Sequence, residues 1–225
     1  MKFKAHIEGI IDHETWRQSR PPKEGDKQWV DGRSAKELAK YMTKSFPSLP
    51  HELEAVLCHF TSQDAELFWD AEHVTPLPEK GEGRNHDAIL FNKDILVTIE
   101  AKADEPLGNL VEEELASASV NKLQRISTLL TYLFKMGFKG YRKLRYQLIT
   151  ASVGTILEAE AKKLDQALLL VLVFKTNGNV EEEKLARNSS DIKAFLEAVG
   201  AYDENSFKII PNKSGIKLYF KEIVI

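Results

Sequence analysis

Cysteine is scarce. The single Cys58 among 225 residues excludes an internal disulfide framework and any zinc site built from clustered thiolates. Long hydrophobic runs are missing too. The most apolar stretch, Ala167–Phe174 (ALLLVLVF), is far shorter than the roughly 20 residues that span a bilayer. Met1–Asp12 has no apolar centre of a secretory leader, so a cytoplasmic home and no membrane are expected. Charge of one sign is not in excess. Lys and Arg number 31 against 34 Asp and Glu, for a formal net charge of -3. That excludes a protein coating nucleic acid through bulk charge but leaves room for a local basic patch. Neither a G-x-x-x-x-G-K-S/T loop nor a G-x-G-x-x-G turn occurs, which argues against nucleoside triphosphatases and dinucleotide enzymes. There is no internal repeat and no low-complexity tract.

What is present is the composition of a globular domain, 43% hydrophobic and 29% charged. A chain of this length hides roughly 70% of its unfolded surface. Residues 1–33 show no sustained period. They read either as an arm over the core, anchored by Trp16 and Trp29, or as a loosely ordered leader. A single domain is expected over 34–225, with its core at about 51–175 and a C-terminal helix and hairpin at 190–225.

Ser34-Ala35-Lys36-Glu37 reads as a capping box opening a helix that Pro47 and Pro50 end. A second helix is expected over His51–Phe60, with Cys58 near its apolar face and in the core. Ala65–Trp69 reads as a short element and Glu72–Pro78 as an edge segment. Lys80–Asn85 (KGEGRN) is a glycine-containing loop. His86–Phe91 and Ile95–Ala101 read as a β-hairpin turning at Asn92-Lys93-Asp94. A long helix is expected over Val111–Met136, closed by Gly137. Arg145–Ala151 reads as a strand, and Thr155-Ile156-Leu157-Glu158 as a capping box opening a helix to about Asp165. Ala167–Phe174, ended by a turn at Thr176–Asn179, reads as a buried strand. A helix at Asp191–Val199 and a hairpin of Lys208–Ile210 with Lys217–Ile225 complete the chain. Strands followed by crossover helices imply an α/β (α+β) fold with a mixed sheet and helices on both faces.

The hairpin carries the chemistry. Its strands are apolar, yet one holds Asp87 and the other ends in Glu100-Ala101-Lys102. Residues two apart on a strand share a face, so Glu100 and Lys102 point the same way. With Lys93-Asp94 at the turn, Asp87 falls opposite Glu100, and the two carboxylates come within about 5 Å. A cation relieves that repulsion. Mg²⁺ or Mn²⁺ takes carboxylate oxygens, keeps waters and completes its shell with substrate phosphate. It also makes a bound water acidic enough to attack phosphorus.

Asp87 followed by Glu100-Ala101-Lys102 at the end of the next apolar strand resembles the signature of the PD-(D/E)XK nuclease superfamily. That resemblance implies a restriction-endonuclease-like, three-layer core ordered helix, three-stranded meander, helix, strand, which residues 51–151 read in order. It also implies that Asp87 and Glu100 are metal ligands and Lys102 the catalytic lysine, acting on DNA or RNA. His86 stands where the pattern has proline. The family often adds an upstream helical Glu, for which Glu52, Glu54 and Glu66 are candidates. Some relatives carry a Gln and a Tyr on the helix after the lysine strand, where Gln124 and Tyr132 are expected to sit.

A second copy of the tripeptide, Glu160-Ala161-Lys162, reads as a solvated helix turn. Lys135–Arg145 (KMGFKGYRKLR) offers Lys139, Arg142, Lys143 and Arg145 to phosphates, with Phe138 and Tyr141 for base stacking, or is a solvated connection. Glu181–Glu183 is a charged loop or helix start. His59, His73 and His86 have no zinc spacing. The alternatives to a nuclease are a catalytically inactive binding or assembly module on the same fold, and a hydrolase of small phosphate esters. The apolar strand Leu218–Ile225 reads either as a homodimer contact or as part of the sheet.

Overall fold

Strand β5, Gln166–Val173, is apolar from Ala167 onward because both faces are covered. Leu168, Leu170 and Leu172 belong to one buried cluster, and Leu169, Val171 and Val173 to another. A computed structural model describes residues 4–6, 10–22, 25–62, 65–135, 138–175 and 182–225. The expected Gly137 helix stop, the Thr176–Asn179 turn and Glu181 lie outside the described residues.

The elements in chain order are β1 (Lys4–His6), α1 (His13–Ser19), α2 (Ser34–Thr43), α3 (His51–Leu57), β2 (Glu66–Thr75), β3 (Arg84–Phe91) and β4 (Leu96–Lys102). Then come α4 (Val111–Ala116), α5 (Val120–Leu133), α6 (Tyr146–Ala161), β5, α7 (Glu182–Val199), β6 (Tyr202–Glu204), β7 (Phe207–Ile210) and β8 (Lys217–Val224). The strands form a mixed sheet in the order β1-β2-β3-β4-β5-β8-β7-β6. β2, β3 and β4 are an antiparallel meander, and β4, β5 and β8 run parallel. Leu38, Met42, Leu53 and Leu57 of α2 and α3 cover one face, together with Trp16 and Trp29. Ile126, Ile149, Ile156 and Phe195 of α5, α6 and α7 cover the other. The fold is α+β in three layers, as expected. Among the described residues no helix is long and apolar enough to cross a membrane.

Several local expectations are corrected. Arg145–Ala151 is not a strand. Arg145 precedes α6 without capping it through its side chain, and α6 begins at Tyr146 and runs through the Thr155–Glu158 segment expected to open a helix. α6 is buried from Leu148 to Ile156, so no polar stripe marks its period, and its β-branched residues read as a strand. The long helix over Val111–Met136 is broken into α4 and α5, and the Ser119 hydroxyl accepts from Lys122 N. Ser34 does not cap α2. Its N–H and hydroxyl both donate to Glu105 Oε1, while Glu37 accepts from Gly32 N. Residues 66–75 form one strand inside the sheet, flanked by β1 and β3, not an edge. α7 starts at Glu182, well before Asp191. Cys58 is exposed, because α3 stops at Leu57 and the chain leaves the buried face there. β8 lies inside the sheet, paired with β5 along its length and with β7 at Leu218–Phe220.

The helix, meander, helix, strand order is built from α3, β2–β4, α6 and β5. α4 and α5 are an excursion between β4 and α6.

Candidate active site

The β3–β4 hairpin turns where the sequence places it. Asn92 N donates to Ile95 O, and Asn92 Oδ1 accepts from Asp94 N and Ile95 N. Pairing runs from Phe91 with Leu96 to Ala88 with Ile99. One step further, the register sets Asp87 against Glu100, as expected. The ladder stops there. Asp87 Oδ2 accepts the Ala101 N–H at 2.7 Å, so a side chain takes the place of a ladder bond.

The β2–β3 ladder skips the same step. Ala71 pairs with Ala88 and His73 with His86, but Glu72 and Asp87 do not pair. Glu72 lies in left-handed backbone, φ 51°, a conformation that costs energy in any residue with a Cβ. Its carboxylate accepts from Asn85 Nδ2 at 2.6 Å. Burial, and then the Asp87 charge, push the Glu72 carboxyl up to about 8.

Glu100 and Lys102 share a face of β4, as the strand period requires. Lys102 Nζ donates to Glu100 Oε1 at 2.8 Å. The expected naked carboxylate pair is not what the structure holds. Glu100 Oε2 accepts from the Arg84 guanidinium, and Glu100 Oε1 also accepts from Gln147 Nε2. Glu100 is 1% exposed and Lys102 7%. Burial lowers the Lys102 pKa from its ordinary value, with Asp87 working against that shift and Arg84 with it.

Arg84 and Gln147 also line a cleft of about 840 Å³ between the 77–84 loop and α4–α6. Arg125 of α5 shapes one wall. Its guanidinium donates to the carbonyls of Pro78, Glu79 and Glu82 at 3.2, 3.0 and 2.5 Å. Gly154 lets α6 close on β3, since a Cβ there would meet Arg84 Cγ and His86 Nε2 at 3.0 Å.

The upstream glutamates do not join this group. Glu52 accepts from Tyr41 OH at 3.0 Å, Glu54 shares α3 with it, and Glu66 lies six residues before Glu72 on β2. Among the described residues no three His, Cys, Asp or Glu side chains are grouped closely enough to hold a metal ion. Gln124 is exposed on α5, and Tyr132 lines a separate pocket with Phe134 and Phe138. The glutamine that reaches the site is Gln147, on the helix that follows the meander in the core. Sequence reasoning missed it because its segment reads as a strand. It missed Arg84 because a loop arginine carries no mark of burial. Glu72 had one available signal, its place opposite Asp87, but the β2 boundary hid it.

In the basic cluster, Lys139, Arg142 and Lys143 are exposed around a short 3-10 turn, Gly140–Lys143. Arg145 is not free for phosphate: Nε donates to Asp191 Oδ2 at 2.7 Å and an Nη to Gly108 O at 3.0 Å. Phe138 and Tyr141 pack against the core, and Phe138 stacks on Phe134 with centroids 4.8 Å apart. Lys162 of the second Glu-Ala-Lys pairs with Glu158 and caps the Phe91 ring at 3.8 Å.

The chain belongs to the family described as a domain of unknown function, DUF6946, whose model matches residues 10–224. No curated protein and no solved structure matches it.

Proposed function

We propose that this member of the family hydrolyses phosphodiester bonds of DNA or RNA with Mg²⁺ or Mn²⁺, through Asp87, Glu100 and Lys102. One observation carries the reading: both ladders beside Asp87 let go at the same step, so Asp87 fills a gap next to Glu100 and Lys102 instead of closing a sheet. Backbone strain at Glu72, in the same step, is the kind that accumulates at functional sites.

The donor set fits a hard cation. Asp87 and Glu100 offer carboxylate oxygens, and Mg²⁺ is commonly held by one or two carboxylates together with water and substrate phosphate. When bound, such an ion polarises the phosphoryl group and acidifies a water. The remaining work falls to the chain. Lys102, with its proton loosened by burial, hands a proton to the departing oxygen or orients the attacking water. Arg84 and Gln147, at the floor of the cleft, bind and orient the phosphate. Lys139, Arg142 and Lys143 contact the backbone of a longer polymer.

The test is incubation of single- and double-stranded DNA and of RNA with the protein, with and without Mg²⁺. Cleavage that needs the ion and vanishes in Lys102→Ala, with the far-ultraviolet circular dichroism unchanged, supports the reading. Cleavage that survives in that variant overturns it.

A second reading, a non-catalytic binding or assembly module, is favoured by one observation: Glu100 is buried and already faces two cations. It predicts no cleavage and no Mn²⁺ binding at any concentration up to several millimolar.

A further inference from the structure

Arg84 has two sides. One reaches inward, where the guanidinium donates to Glu100 Oε2. The other faces the cleft of about 840 Å³ that it lines with Gln147 and Lys122. Its stem packs against α6. Arg84 Cβ and Cγ lie within 3.1 and 3.0 Å of where a Cβ on Gly154 would stand, so a change of direction falls to the guanidinium end. Arg84 Nε is buried and has no hydrogen-bond partner, so one edge of the fork is unused. A guanidinium pairs best with both oxygens of a phosphate, through two adjacent donors. Glu100 spends one donor of that fork and leaves Nε orphaned, whereas a phosphate in the cleft satisfies both.

The charges point the same way. Asp87 and Glu100 are two carboxylates set among two cations, Arg84 and Lys102. These four charges sum to zero, so the group holds no net attraction for a divalent ion unless one positive charge leaves. Both cations are buried, but Arg84 lines the cleft and Lys102 does not, so Arg84 is the one that can go.

We propose that Arg84 is a phosphate-operated latch: in the free protein it closes on Glu100, and a polyanion in the cleft draws it away and opens Glu100 to the divalent ion. The latch rests on the reading of Asp87 and Glu100 as cation ligands. Anion and cation therefore bind with positive coupling, and by linkage each tightens the other equally. The consequence is a site that stays closed to free metal and loads only when a phosphodiester backbone is in place.

The experiment is a Mn²⁺ titration of the full chain by calorimetry, at fixed ionic strength, in chloride or in sulfate. Sulfate serves as a tetrahedral dianion that keeps Mn²⁺ in solution. Sulfate is expected to tighten Mn²⁺ binding to the wild type by about fivefold or more, the lower end of common couplings. Arg84→Met is expected to bind Mn²⁺ about tenfold tighter than wild type in chloride and to lose the sulfate effect. Equal Mn²⁺ affinity in the two proteins, or a sulfate effect that persists in Arg84→Met, overturns the latch and leaves the cation site standing. Absence of Mn²⁺ binding to both overturns the latch and the cation site together. Where Arg84→Met fails to fold, the wild-type arms decide alone, and equal affinity in chloride and sulfate overturns the latch.

Discussion

Lys102 Nζ donates to Glu100 Oε1 across 2.8 Å from two residues further along the same buried face of β4. With Arg84 on the other oxygen, Glu100 is the buried centre of a charge cluster whose Arg84 edge lines the cleft. Removing one member of a buried ion group costs more than the group contributes, because the survivors lose their counter-charge and cannot regain hydration.

Glu100→Ala is therefore expected to lower the free energy of unfolding by about 3–5 kcal/mol. Lys102→Met, which leaves Glu100 its partner Arg84, is expected to cost distinctly less. Urea denaturation at one pH measures both. Equal losses for the two variants contradict the ranking.

Glu72 makes stability depend on pH. Its folded value, about 8, lies above the ordinary 4.5, so between those values the folded state holds a proton that the unfolded chain has released. Stability is accordingly lost as pH rises from about 4.5 to about 8 and levels off above. At roughly 1.4 kcal/mol per pKa unit the effect amounts to a few kcal/mol. Glu72→Gln keeps the contact with Asn85 and is expected to flatten this limb. Melting temperatures of Glu72→Gln and wild type that run parallel between pH 5 and pH 8 refute the assignment.

His86 acts in the opposite sense. It is wholly buried, neither ring nitrogen has a partner, and burial, followed by Arg84 and His73, lowers its value well below 6.5. A histidine held neutral in the fold stabilises fully above 6.5 and loses that contribution as pH falls below it. His73 runs the other way. Its hydrogen bond to Glu158, 3.1 Å between heavy atoms, raises its value, so its contribution is present below 6.5 and fades as pH climbs through the folded value. His86→Leu is expected to remove the acid-side loss, and His73→Leu to remove a gain. Thermal melts between pH 5 and pH 8 separate the two, and a steeper acid limb in His86→Leu contradicts the sign.

Gly154→Ala sets helix propensity against packing. Alanine gains about 1 kcal/mol over glycine in a helix interior. The added Cβ sits 3.0 Å from Arg84 Cγ and His86 Nε2, both held between α6 and β3. Overpacking of this kind costs about 1–3 kcal/mol, so net destabilisation is expected. A variant more stable than wild type in urea shows that α6 yields and that the Arg84 stem is not fixed.

The hairpin was the most legible part of the chain. Asn92-Lys93-Asp94 fixed the turn, the turn fixed the register, and the register set Asp87 against Glu100 without help from the rest of the fold. β5 was legible for a related reason, since eight apolar residues in a row fit only a strand covered on both faces. α6 was lost by the same burial. A helix with no solvated side has no polar stripe to declare its period, and Gln147, Thr150, Val153 and Thr155 suit a strand as well as a helix. Local capping patterns were also overruled. Ser34 found a better acceptor in Glu105, 71 residues away, and the Thr155 hydroxyl donates to Ala151 O and contacts Thr98, in mid-helix. Lys102 was within reach of the strand period, but the other partners of Glu100, Arg84 and Gln147, come from β3 and α6, so no window of sequence around it could name them.

The enclosure of Glu100 by Arg84, Lys102 and Gln147 also bears on how this chain can diverge. A charged corner of that group lost singly leaves a stranded charge inside the protein, so drift at one of those positions is checked by folding. Descendants that lose this group should therefore replace its charged side chains as a set, most simply by hydrocarbon of similar bulk, and a lineage that keeps only some of them should carry a compensating change within reach of the strand.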